Sequence, residues 1–394
     1  MSVSLATGRR RVVLVSDAAL GFGSPQVPAL AREIAAQLEM DPIILEPDVA
    51  DSPPFHSSFP DLNVIRIRQK SPPIYDGGRS RYCREAAALI DDIKPDIVVI
   101  ICTFSMPTLL HLKHKPSLVI LYSIESIIQY GQPDILLNRE LRKRIDLILW
   151  PEENRAKRDT ERCGFEEIPS VLVLNSSNPQ AAANSIQSIE QRSKRIIHQG
   201  TLGARHTYSQ YFFDHRIYRL PIDVFGPIVD RESLEFEKFR NTSYATPASK
   251  MIYHGRIDLQ RLAWFRRRSA FLVTIWSPAD ERGLYAPSNK FFEAIADGVP
   301  PITAPHPQHV RLVKKYDCGL LMEDWSFEAF RYSLVSALRI FGTARHRQLI
   351  ENCRRAVREE LNVELQMGAA VAKIRELYET KVRQSFPKHA IQKV

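Results

Sequence analysis

The sequence predicts an α/β protein of two Rossmann-like domains in tandem, and three observations carry that expectation. The chain has 394 residues, beyond the roughly 250–300 at which a single hydrophobic core stops growing. Short runs of β-branched residues and leucine recur along it with helical patterns between them, the alternation of βαβ units around a parallel sheet. A polar stretch in mid-chain interrupts the alternation, which then restarts. Hydrophobic residues make up 44% and charged residues 25%, a balance that excludes a disordered, collagen-like or coiled-coil chain.

The first series of strands is expected at Val12–Val15, Ile43–Leu45, Val64–Ile67, Ile97–Cys102, Leu118–Tyr122, Ile145–Trp150 and Val171–Leu174. Each is a near-continuous apolar run, as in a parallel strand covered on both faces. The first ends at Ser16 and Asp17, and a loop with Gly21 and Gly23 leads to a helix near Pro28; Arg81–Ile93 reads as another helix. The stretch from Asn175 to Arg195, rich in Ser, Asn, Gln and Ala, is the expected connection between domains. A second series follows at Arg195–His198, Ile217–Phe225, Met251–His254, Phe271–Trp276, Pro301–Thr303 and Gly319–Met322, and the chain is helical by period from about Ala344 to Gln384. The boundaries expected are 1–180 for the first domain, 194–370 for the second and 371–394 for a terminal helix and tail.

Lys and Arg number 54 against 45 Asp and Glu, a formal charge of +9. That excess suits an anionic partner: nucleic acid, a membrane face or a phosphorylated ligand. Five scattered cysteines make no Cys-x-x-Cys pair and no disulfide framework, and Cys102 reads as a small buried hydrophobe in a reducing compartment. Neither a secretory signal nor a run of about 18 apolar residues is visible, so a cytoplasmic protein is expected.

The stretch from Phe271 to Ala304 carries the chemistry. A buried strand runs into a loop, a helix opens near Ser288 or Asn289, and Gly298 ends it, followed by Pro300 and Pro301. In a parallel α/β domain such a loop lies at the ligand crevice, and the helix start attracts a diphosphate. Lys290 adds a cation suited to phosphate oxygens. Glu293 shares a helix face with Lys290 and Asn289, where a carboxylate can accept both hydroxyls of a ribose. A surface Lys290–Glu293 pair is the competing reading, whereas a capping box fails because residue 291 is Phe.

YAPSNKFFEAIADGVPPI, from Tyr285 to Ile302, resembles the donor-nucleotide motif of GT-B glycosyltransferases, nearest the family 4 group. The resemblance implies two Rossmann-like domains facing across a cleft, with the C-terminal helix crossing back to the first domain. It implies that Ser288, Asn289 and Lys290 hold the diphosphate and Glu293 the ribose. IIHQGTL supplies Gly200 to a glycine turn facing the donor phosphates, and MIYHGRID supplies Gly255 and Arg256 to the base-reading loop. Tyr285 stands where many retaining members carry a second Glu near the transferred sugar, so retention and inversion both stay open.

Arg205, after Gly200 and Gly203, is a candidate for the donor phosphates or a solvated loop residue. On the acceptor side, a general base must take the proton of the attacking hydroxyl. Glu125 and Asp17 each follow a strand, at the end where ligands bind, and each could equally cap a helix or pair with an arginine. Glu152 and Glu153 read as a helix start. His306 and His309 read as surface residues. No Asp-x-Asp pair or histidine ligand spacing appears, so no metal and no other cofactor is expected beside the nucleotide sugar. Arginine-rich stretches at 9–11, 139–144, 266–268 and 354–355 read as solvated faces, and together as possible holds on an anionic membrane. Nucleic acid is not expected, for no reading motif with interleaved aromatics is present.

The function expected is metal-independent transfer of a sugar from a nucleoside-diphosphate donor to a glycan or lipid-linked acceptor. Two alternatives are a same-fold nucleotide-sugar epimerase and a non-catalytic protein that binds polyanions or membranes.

Overall fold

A computed structural model of the chain describes residues 10–20, 24–49, 59–71, 76–130, 139–177, 191–229 and 250–385. Gly21 and Gly23 and most of the expected interdomain connection lie outside the described residues. Two compact units divide the chain: residues 1–174 with 363–394, and residues 175–362.

The first unit holds β1 (Arg11–Val15), β2 (Asp41–Asp48), β3 (Asn63–Arg68), β4 (Ile97–Ile101), β5 (Leu118–Tyr122), β6 (Leu147–Trp150) and β7 (Ser170–Leu172). The sheet order is β3-β2-β1-β4-β5-β6-β7, parallel at every pairing. Its longer helices up to residue 174 are α1 (Gln26–Leu38), α2 (Asp76–Ile93) and α3 (Glu153–Cys163). The apolar runs follow from burial on both faces. Val12, Leu14, Ile97, Val99 and Ile101 face one core, and Val13, Val15, Val98 and Ile100 face the other.

The second unit repeats the scheme with β8 (Ser193–Gln199), β9 (Ile222–Phe225), β10 (Ile252–Gly255), β11 (Ser269–Thr274), β12 (Pro301–Thr303) and β13 (Leu320–Leu321). They are ordered β10-β9-β8-β11-β12-β13, again all parallel. Its longer helices are α4 (Leu259–Arg268), α5 (Asn289–Ala296), α6 (Pro307–Tyr316), α7 (Phe327–Ile340) and α8 (Ala344–Glu359). In each unit the order reverses beside the first strand, between β1 and β4 and between β8 and β11. Ligands of open α/β sheets bind at the carboxyl ends of strands at such a reversal.

Two expectations are corrected. The strand expected from Ile217 begins at Ile222, because Ile217–Leu220 close a turn (Leu220 N–H to Ile217 O, 2.8 Å) and Pro221 has no N–H to give a ladder. The terminal helix α9 (Val363–Ser385) starts eight residues before the expected boundary at 371. Met367, Ala370, Val371, Ile374 and Tyr378 on it join the core of the first unit. Gln366 accepts the Leu174 N–H at 2.9 Å, and the Tyr378 hydroxyl donates to Asp96 at 2.9 Å. The run from Ala344 is thus two helices, broken at residues 360–362, and they belong to different units.

Candidate functional site

In the second unit, three neighbouring strands end in left-handed glycines: Gly200 after β8, Gly226 after β9 and Gly255 closing β10. The turns are stacked. The Gly200 N–H donates to Phe225 O at 3.0 Å, and the Gly226 N–H donates to Gly255 O at 2.8 Å. A Cβ on Gly226 would lie 2.0 Å from the Gly200 carbonyl oxygen, and one on Gly200 would lie 2.0 Å from Lys290 Cε. Glycine is required at both positions by the φ values of 125° and 126° and by this approach. The Lys290 stem therefore lies directly on the glycine turn of β8, across the reversal from its own helix.

α5 opens after Ser288, whose backbone is extended and whose side chain makes no cap. The Ser288 hydroxyl is buried and has no hydrogen-bond partner, a state that costs about 1–3 kcal/mol unless a ligand or water meets it. Asn289 is the first helical residue, and Gly298 (φ 65°) follows the helix end, as the sequence suggested. Upstream, the Trp276 indole N–H donates to Gly283 O at 2.7 Å, and its ring stacks on His306 at 3.8 Å, which pins the loop leading to Ser288. Tyr285 sits in that loop, partly buried, at the end of the helical turn Glu281–Leu284.

Glu293 does not form the competing surface pair. Its Oε2 accepts from Gln199 Nε2 at 2.6 Å and from Arg266 Nη1 at 2.8 Å. Arg266 Nη1 also donates to Gln199 Oε1 (3.1 Å), and its Nε donates to Asp297 Oδ2 (2.6 Å). Burial alone would lower the Arg266 pKa, and the Glu293 and Asp297 charges more than reverse this. His198, beneath, is kept neutral: burial and then the Lys290 charge push its pKa down to about 3. Arg205 is exposed on the turn Ala204–Thr207, outside this network, and Arg256 is exposed just past Gly255.

In the first unit the two candidate bases come together. Asp17 follows β1 and Glu125 follows β5, with Cys102 at the end of β4 between those strands. Burial pushes the Asp17 carboxyl up to about 7, and the negative charge of Glu125 adds to the rise. The Cys102 thiol hydrogen-bonds the Asp17 carboxyl, and burial with the two carboxylates keeps it protonated. Cys102 was expected to be only a buried hydrophobe; it is buried, but it also holds φ 61°, ψ 169°, a conformation that costs other residues about 1–3 kcal/mol relative to glycine. The loop carrying exposed Glu125 is braced from below. Buried Arg155 donates to Ile124 O at 2.8 Å, and Asp159 accepts the Ile127 N–H at 3.0 Å. Glu152 caps α3 by accepting the Arg155 N–H, so the helix-start reading of Glu152 holds.

Sequence reasoning missed Gln199, Gly226 and Arg266. The signals present were weak: a residue at a strand end, a glycine after a strand, and the first member of an arginine triplet. Two further expectations are corrected. The 266–268 triplet is not a solvated face, since Arg266 is only 7% exposed and Arg268 stacks over Trp264 at 4.2 Å. His306 and His309 are buried rather than on the surface, packed against Trp276 and Phe291. Among the described residues no group of three or more His, Cys, Asp or Glu is placed to hold a metal ion. No described helix is long and apolar enough to cross a membrane.

The architecture is the GT-B fold. No protein-family model matches the chain, and no curated protein matches it by sequence. Solved structures match over nearly the whole length. Sucrose-phosphate synthase from Thermosynechococcus elongatus aligns with TM-score 0.68 at 15% identity, covering 94% of this chain and 100% of that one. HepE of Anabaena, in complex with UDP and glucose, aligns with TM-score 0.69 at 10% identity, covering 93% and 100%. The α,α-trehalose 6-phosphate synthase from Burkholderia multivorans aligns with TM-score 0.64 at 14% identity, covering 97% and 100%.

Proposed function

We propose that this chain is a glycosyltransferase that moves a sugar from a nucleoside-diphosphate donor to a hydroxyl of a glycan or lipid-linked acceptor, without a metal. The observation that carries the reading is the seat of Lys290 on the Gly200 turn at the strand-order reversal, beside an anchored Glu293. A cation, a helix N-terminus and a backbone turn converge there, the elements that neutralise a diphosphate, and Ser288 contributes an unmet hydroxyl. Glu293 keeps Oε1 outside the hydrogen bonds from Arg266 and Gln199, and that oxygen takes the ribose hydroxyls. HepE, a protein of the same fold, forms a complex with UDP and glucose.

In the transfer step the acceptor oxygen bonds to the anomeric carbon as the bond from that carbon to the diphosphate breaks. The acceptor proton passes to the Asp17 carboxylate, whose pKa near the working pH suits a general base. Burial is the main cause of that pKa, and the Glu125 charge adds to it. The diphosphate leaves with its negative charge held by Lys290 and the start of α5, electrostatic stabilisation at a preformed site. Five free, buried cysteines fit a cytoplasmic setting, and the basic surface residues fit peripheral contact with an anionic membrane face.

Calorimetric titration of UDP, GDP and ADP tests the donor site. Lys290→Ala is expected to weaken the best nucleotide roughly 10- to 100-fold, from the 1.5–3 kcal/mol of a hydrogen bond to a charged group. Equal affinity in the variant, or no nucleotide bound tighter than millimolar, would reject the reading. Release of nucleotide only when acceptor is added separates transfer from epimerisation.

A further inference from the structure

We infer that Arg266 is the positioning residue that sets the ribose selectivity of the nucleotide site, acting through Glu293; the inference rests on the donor reading proposed above. A carboxylate on the first turns of a helix has freely rotating χ angles, and orienting two oxygens toward a pair of vicinal hydroxyls requires an anchor. Arg266 supplies that anchor. It lies in the last turn of α4, and its planar guanidinium joins three groups at once: Glu293 Oε2, Gln199 Oε1 and Asp297 Oδ2. Gln199 in turn donates to the same Glu293 Oε2. Both donors thus fall on one carboxylate oxygen and leave the other outside these hydrogen bonds.

The burial gradient has the same sense. The Arg266 side chain is 8% exposed and that of Asp297 5%, whereas Glu293 is 26% exposed. The network is closed on its inner side and open at Glu293. Two carboxylates against one guanidinium also leave one net negative charge among these three groups, so the open oxygen remains an acceptor for hydroxyl donors. A lysine cannot reproduce the arrangement, because an ammonium lacks the fixed fork that reaches Glu293 and Asp297 together. A purely structural α4–α5 tie would need the Asp297 contact alone.

The test compares UDP and GDP with their 2′-deoxy and 3′-deoxy counterparts by calorimetry, in the full chain. Wild type is expected to favour the ribonucleotide of its preferred base by tenfold or more. Arg266→Lys is expected to bring that preference below about threefold, while Lys290→Ala weakens ribo and deoxy forms by the same factor and preserves it. If Arg266→Lys does not fold, as read by its thermal melt, Asp297→Asn decides: it leaves the guanidinium in place but removes the charged anchor at Nε, and the preference should fall at least twofold. An unchanged ribo-to-deoxy ratio in the folded variant, with affinity lost equally for both, makes Arg266 structural only and overturns the inference. A wild type that binds ribo and deoxy forms alike overturns it too, and with it the ribose role of Glu293. Failure of every nucleotide to bind instead rejects the donor site itself.

Discussion

The two units order their first six strands alike, yet they treat the carboxylates they hold in opposite ways. In the second unit Glu293 and Asp297 are each tied to Arg266. In the first, burial pushes the Asp17 carboxyl up to about 7, and the charge of the neighbouring Glu125 adds to the rise. A paired carboxylate is a static anion that holds a ligand; one placed beside another acid exchanges its proton near neutral pH. One architecture thus holds carboxylates paired with a guanidinium in one unit and a desolvated carboxylate beside a second acid in the other.

The sharpest way to break this comparison is Asp17→Asn. Turnover should fall roughly 10²- to 10⁴-fold, the usual contribution of a positioned base, while calorimetric affinity for the nucleotide stays unchanged. The rate of the wild type should rise with pH through about 7, because the base acts only when deprotonated, and that rise should vanish in the variant. A variant with full turnover would remove Asp17 from the chemistry.

Gly200→Ala probes the other side. The added methyl meets Lys290 Cε, and the left-handed backbone disfavours any side chain. Nucleotide affinity should drop by about tenfold, with stability lower by ~1–3 kcal/mol. Chemical denaturation and calorimetry on the same sample separate the two effects.

A further effect is on stability, and its sign is diagnostic. Asp17 has a folded pKa above its unfolded value of 3.8, so the native state binds more protons between those pH values. Stability is therefore lost as pH rises from about 4 to 7, by on the order of 2–4 kcal/mol. Asp17→Asn should melt several degrees higher than wild type at pH 8 and no higher at pH 4. A lower melting temperature at pH 8 would mean that the Asp17 charge is compensated after all.

Much of this was legible in the sequence. Strands buried on both faces appear as apolar runs, which is why β1, β4 and β5 could be read directly. Lys290 and Glu293 were legible because helix geometry converts a spacing of three into a shared face. What remained hidden depends on partners far away along the chain. Gln199 lies 94 residues from Glu293 and Arg266 lies 27, so no local period connects them. The backbone strain at Cys102 leaves no trace in residue type, since nothing about a cysteine announces a conformation suited to glycine. The burial of His306 and His309 was missed because it comes from stacking on Trp276 and Phe291, a tertiary contact that overrides their polarity.

The return of α9 to the first unit has a consequence for how the molecule is made. A chain emerging from the ribosome can complete the second unit as soon as Asn362 is available. The first unit, although most of it is synthesised earlier, lacks Met367, Ala370, Val371, Ile374 and Tyr378 until the end. Its core stays open over α1 and the starts of β4 and β6 while the second unit is already closed. Assembly therefore ends where it began, and the first unit becomes complete only with α9.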